Sequence, residues 1–153
     1  MPPNSLEHTF RRALLAILAI GLLGTEVELL LLKHTDGPWQ LVPVILIAAG
    51  GIHAVLSAWR PSPGNIAAFR AVMALFIVSG CVGVVQHFLG NIDYARDSNP
   101  SLAGLELYKE ALVGATPALA PGTMVQLGLV GLLFAYRHPA AKRGPTAPEE
   151  QNS

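Results

Sequence analysis

The sequence predicts an all-α integral membrane protein: a four-helix transmembrane bundle with both termini cytoplasmic and a short amphipathic helix in the outer loop between spans three and four. Three observations lead there. Of the 153 residues 52 % are hydrophobic and only 13 % charged, about half the charge of an ordinary soluble domain. The apolar residues gather in four stretches of roughly 20 residues, the length of helix that crosses a ~30 Å hydrocarbon core. The Lys and Arg residues of the short connections also divide unevenly between the two sides.

Span one is expected at about residues 13–32, interrupted only by Glu26 and Glu28. Span two, about 39–59, has an indole at each end, Trp39 and Trp59, where amphipathic rings settle at a membrane–water interface. Spans three and four are expected at about 71–90 and 117–136. Together they make one membrane domain over 13–137, between a cytoplasmic segment 1–12 and a disordered cytoplasmic tail 138–153, rich in Pro, Ala and charge and without apolar periodicity.

Arg11, Arg12, Arg60, Arg70, Arg137, Lys142 and Arg143 fall on one side, against Lys33, Arg96 and Lys109 on the other. Positive residues are retained inside, so both termini are expected in the cytoplasm of a multi-pass protein of bacterial inner-membrane type. Gly24-Thr25-Glu26 is no small-x-small cleavage site, so the first span reads as a retained anchor rather than a signal peptide. The turns 33–38 and 60–65 are tight and rich in Gly and Pro, which makes consecutive spans antiparallel neighbours. In the longer outer loop, Asn99-Pro100-Ser101 resembles a helix start. Leu102, Leu105, Tyr108 and Leu112 then recur at helical spacing, predicting a surface helix over about 101–113.

The partners implied are the lipid bilayer and either a second copy or other membrane subunits. Ten basic and ten acidic residues leave no net charge, and with it no broad positive field for nucleic acid. One cysteine, Cys81, excludes dithiol chemistry and a Cys-rich metal site. No cofactor is strongly implied.

Small residues mark the faces on which membrane helices pack. On span one, Gly21, Gly24, Thr25 and Glu28 share a face, which points Glu28 inward; on span three, Gly80, Gly83 and His87 do the same. Glu28 and His87 lie at similar depth near the outer boundary. They form the centre of an expected outward-facing polar pocket with Gln86, Thr123 and Gln126, with Asn91 and Tyr94 at its mouth. A carboxylate beside an imidazole exchanges protons or ligates a metal, and Glu28 and His87 are the metal candidates, with His34 and Asp93 as further ligands. The same pair can equally be an interhelical hydrogen bond that fixes the bundle. His53 and Ser57 form a second, deeper polar site on span two. Glu26 falls on the opposite side of span one from Glu28, toward lipid, and needs a cover: Lys33, Lys109 of the outer helix, or a second protein copy. Pro117 and Pro121 predict irregular backbone at the start of span four, tolerated only against protein or a polar cavity.

These residues point first to a non-enzymatic component of a membrane complex or homo-oligomer whose pocket binds an ion, a proton or a small polar ligand. The alternative is a proton-coupled transporter or channel with Glu28, His87 and His53 as stations. The third reading is a redox subunit holding haem or quinone.

Overall fold

The computed structural model describes residues 3–114 and 116–142, and they are helical with no strand among them. Helix α1 runs Pro3–Leu31, α2 Pro38–Trp59, α3 Pro63–Ser98, α4 Gly104–Val113 and α5 Gly122–Ala135, followed by a 3-10 turn at Pro139–Lys142. Of these, α1 (from Ser5), α2 and α3 are long and apolar enough to cross a membrane. Their outward side chains suit lipid: Ile20 is 73 % exposed, Ile45 64 % and Val78 59 %.

Prolines set two of the starts. Pro38 and Pro63 stand in the first turn of α2 and α3, where a missing N–H costs nothing, and Ser62 Oγ accepts from Asn65 N to cap α3. Helix α1 ends in a Schellman turn: Lys33 N donates to Leu30 O and His34 N to Leu29 O, with Lys33 at φ 51° where glycine is usual. Lys33 is thus the residue that turns the chain, and no ion pair joins it to Glu26 among the described residues.

Helix α3, 36 residues and therefore about 54 Å long, reaches well past the expected 71–90 on both sides. It is the central element, packing most extensively on α5 and then on α2, while α1 lies across α2 and α5. Phe69, Met73 and Phe76 of α3 are fully buried with Leu18 of α1 and Ile47 of α2, and Phe69 meets Phe134 edge-on at 5.6 Å between ring centres. Glycines set the α3–α5 distance. A Cβ on Gly128 would lie 2.7 Å from Met73 O, and one on Gly83 would lie 2.7 Å from Pro121 Cβ.

The fourth apolar stretch, expected to span from 117 to 136, is helical only from Gly122 to Ala135. Residues 117–121 form successive i→i+3 turns (Ala120 N to Pro117 O, Gly122 N to Leu119 O, Thr123 N to Ala120 O), and the α-helix begins only at Gly122. Pro121 has no N–H to continue a helix from Pro117, which is the physical reason. The 14 helical residues cover about 21 Å. Of the turns before them, Pro121 rests on Gly80 and Gly83 and Ala118 is buried, whereas Pro117, Leu119 and Ala120 are exposed, so the irregular backbone is only partly set against protein.

Helix α4 starts three residues later than expected. Asn99 Oδ1 accepts from Ser101 N and Oγ, which closes a turn instead of capping a helix, and Gly104 at φ 58° opens α4. Its buried face is Leu107 and Ala111, set against Ile92 and Ala95 of α3, whereas Leu105, Tyr108 and Leu112 are at least half exposed. The helix is apolar on two sides, and α3 takes the narrower one.

Arg11 and Arg70 tie the start of α1 and of α3 to the end of α5. The chain therefore alternates in direction, with the start of α1 and the end of α5 at one end of the molecule (the basic end) and α4 at the other. Of the expected disordered tail, residues 139–142 form the 3-10 turn, with Ala140 buried in the core; residues 143–153 lie outside the described residues.

Candidate functional site

The two glutamates of α1 exchange the places expected of them. Glu28 is exposed, and Glu26 is half-buried with its Oε2 enclosed and without a hydrogen-bond partner. The cause is which residues pack. Leu18, Leu22 and Leu29 form the contact face of α1, Gly21 touches Leu127, and Gly24 faces open space. Helix α5 begins only at Gly122, and Glu28 is left exposed, whereas Glu26 faces the α2 side, where it lines a cleft with Ile47, Ala48 and Gly51.

Glu26 lies at one end of a cleft of about 450 Å3 between α1 and α2, walled by Leu15, Ala19 and Leu22 on one side and Ile47, Gly51 and Ala54 on the other, with Trp59 at the far end. Among the described residues the walls are apolar, and the glutamate is their one charged member. From Leu15 to Glu26 the cleft runs about 16 Å along α1.

At the α4 end, the expected Glu28–His87 pair does not form: among the described residues no hydrogen bond or ion pair joins the two. The His87 Nδ1–H donates instead to Pro117 O at 3.2 Å, tethering the irregular turns before α5. The titrating neighbour of His87 is His34, whose pKa is lowered by burial and further by the nearby His87. No cluster of three or more His, Cys, Asp or Glu that could hold a metal ion occurs among the described residues.

Asn91, expected at a pocket mouth, is 2 % exposed and acts as a clamp. Its Nδ2 donates to Ala111 O (2.9 Å) and Thr116 O (2.7 Å), and its Oδ1 accepts from Thr116 N (3.2 Å) and Oγ1 (2.6 Å). Gln86, Thr123, Gln126 and Tyr94 are exposed, so the structure does not gather them into one cavity. On α2, Ser57 is 1 % exposed and its Oγ, like the Nδ1 of His53 one turn earlier, is buried without a partner. Cys81 is a free, exposed thiol.

A second cluster, at the basic end, escaped the sequence reading, which used its arginines only for topology. Arg11 holds Glu7 Oε1 at 2.7 Å and donates to the carbonyls of Phe134, Tyr136 and Arg137, while Arg70 donates to Ala135 O. The last carbonyls of a helix have no partner within it, and two arginines supply them here. That demand for donors at the end of α5 was the available signal.

The chain matches no protein-family model, no curated protein and no solved structure among those compared.

Proposed function

We propose that the protein is a small non-enzymatic membrane component, four-spanning with both ends of the bundle's chain on the cytoplasmic side, that binds a lipophilic molecule bearing an amine or other hydrogen-bond donor in the α1–α2 cleft. The observation that carries this reading is Glu26, which lines an apolar cleft and whose carboxyl has one oxygen, Oε2, buried with no hydrogen-bond donor among the described residues. An unpartnered buried carboxyl costs a few kcal/mol at membrane depth. A donor arriving from outside the fold offsets that cost, and binding follows.

The size of the cleft favours a small molecule over a helix of a second subunit. A volume of about 450 Å3 falls within the range of ligand pockets. A helix about 10 Å across would occupy roughly 1,250 Å3 over the same ~16 Å length. The cytoplasmic placement of both ends is supported by the clustering of Arg11 and Arg70 at the basic end and by the exposed interface-type aromatics Trp59 and Tyr136. Proton-coupled transport draws less support, since no hydrogen bond links Glu28, His87 and His53 among the described residues.

Native mass spectrometry from mild detergent tests the reading. The wild type is expected to retain a small-molecule adduct that Glu26→Leu loses and Glu26→Gln, still a hydrogen-bonding group, partly keeps. A wild type that flies as a bare monomer, unchanged by the substitution, overturns it. A dimer that the leucine variant abolishes makes the cleft a subunit contact instead.

A further inference from the structure

At the basic end a second cleft, of about 560 Å3, is lined by Arg70, Leu132, Tyr136, Arg137, His138 and Ala141. Its charge is unbalanced. Glu7 is engaged by Arg11, whereas neither Arg70 nor Arg137 has a carboxylate within ion-pair distance among the described residues. Arg70 is half-buried and spends one N–H on Ala135 O at 2.5 Å. Arg137 is exposed, held at φ 48°, with its guanidinium 5.9 Å from the centre of the Tyr136 ring. A left-handed backbone at a non-glycine residue costs about 1–2 kcal/mol, and this conformation directs the chain into the turn that carries His138.

His138 is also prepared as a donor. Ala140 N donates to its Nδ1 at 3.2 Å, which leaves the proton of the neutral ring on Nε2, and no described residue accepts from that Nε2. Packing on Phe134, 5.5 Å between ring centres, holds the ring in place. Burial lowers the pKa of His138, and Arg11 and Arg70 lower it further against a smaller opposing effect of Glu7, so the positive potential is felt inside the cleft.

We infer that this cleft binds the phosphate of an anionic phospholipid headgroup, with Arg137 and Arg70 supplying charge and His138 Nε2–H a further hydrogen bond. Basic pockets between membrane helices at the interface are suited to such headgroups. Two features favour a lipid over free phosphate: Leu132 and Ala141 give the cleft an apolar wall for the glycerol and first methylenes, and Tyr136, 62 % exposed, stands at the level where headgroups lie. The inference does not depend on the α1–α2 cleft, which lies between other helices.

The test uses the full chain in phosphatidylcholine nanodiscs, titrated with phosphatidylglycerol, with more phosphatidylcholine, or with inorganic phosphate, while the His138 ring is followed by NMR. Phosphatidylglycerol is expected to saturate a single site and to raise the His138 pKa, because a bound anion stabilises the imidazolium. Among the described residues the Arg137 side chain donates to no backbone group, so Arg137→Gln should melt as the wild type does in phosphatidylcholine alone and bind phosphatidylglycerol about fivefold more weakly. Equal responses to the two lipids overturn the inference. Inorganic phosphate that saturates the site as tightly as phosphatidylglycerol overturns the lipid as its source. Should Arg137→Gln fail to fold, the His138 titration of the wild type decides alone.

Discussion

Gly128 sets how closely α3 and α5 approach, and Gly128→Ala measures what that approach is worth. An added Cβ would sit 2.7 Å from the carbonyl oxygen of Met73 and 2.8 Å from Ile77 Cγ1, where ordinary contact begins at 3.4 Å. The nearest obstacle is backbone, so no rotamer change relieves it, and the helices must separate by about 0.7 Å at this point. A radial gap of that size forfeits a quarter to a half of each dispersion contact, and the contacts affected include Phe76, Leu127 and Phe134, all at most 6 % exposed. Overpacking of this kind costs typically 1–3 kcal/mol; with a rigid obstacle we expect about 2–3 kcal/mol. Gly24→Ala and Gly90→Ala are the controls, since a Cβ at either meets nothing within 4 Å. These should be neutral or stabilising by up to about 1 kcal/mol through helix propensity. Reversible unfolding in mixed detergent micelles reads all three. A Gly128→Ala protein as stable as the controls would refute the account of glycine-set packing.

Three further outcomes follow from single contacts. Asn91→Ala removes four hydrogen bonds that hold Thr116 and the end of α4, so hydrogen exchange should quicken across Gly104–Val113 while α1 and α2 keep their protection, at a cost of about 1–3 kcal/mol; uniform change across the chain would count against the clamp. Lys33→Gly relieves the left-handed backbone at φ 51° and should raise the melting point, by about 0.5–1 kcal/mol of stability; a lower melting point would contradict the Schellman role. His34 and His138 both have pKa values lowered in the fold from 6.5. Each binds fewer protons folded than unfolded near that pH, so their contribution is present above about pH 6.5 and is lost as the pH falls through the lowered values. Melting curves at pH 7.5 and 5 should therefore converge for the His34→Gln, His138→Gln double variant relative to the wild type, and unchanged spacing would refute the sign.

The long spans and their small-residue contacts were legible because composition and spacing are local properties. Gly21, Gly50, Gly80, Gly83, Gly128 and Gly131 all meet a neighbouring helix closely. Facing at the ends of helices was not legible, since it depends on where the partner begins. Glu28 shares a face with Gly21, yet α5 begins too late to reach it and Gly24 faces open space, so Glu28 is exposed and the half-buried carboxyl is Glu26. Helix α4 misled for a related reason: Leu105, Tyr108 and Leu112 make one apolar side and Leu107 with Ala111 another, and only the course of α3 beyond residue 90 selects between them. The basic-end cluster joins residues 7–11, 70 and 134–138, a proximity that no sequence spacing announces.

The central claim is that Glu26 completes a binding cleft, and its most direct test is the binding of dodecylamine in nanodiscs, followed by the fluorescence of Trp59, which lines the cleft, in a Trp39→Phe background. A charge-assisted hydrogen bond of about 1.5–3 kcal/mol predicts saturable binding that Glu26→Leu weakens by at least about tenfold. Non-saturating partition that is identical in both proteins would contradict it.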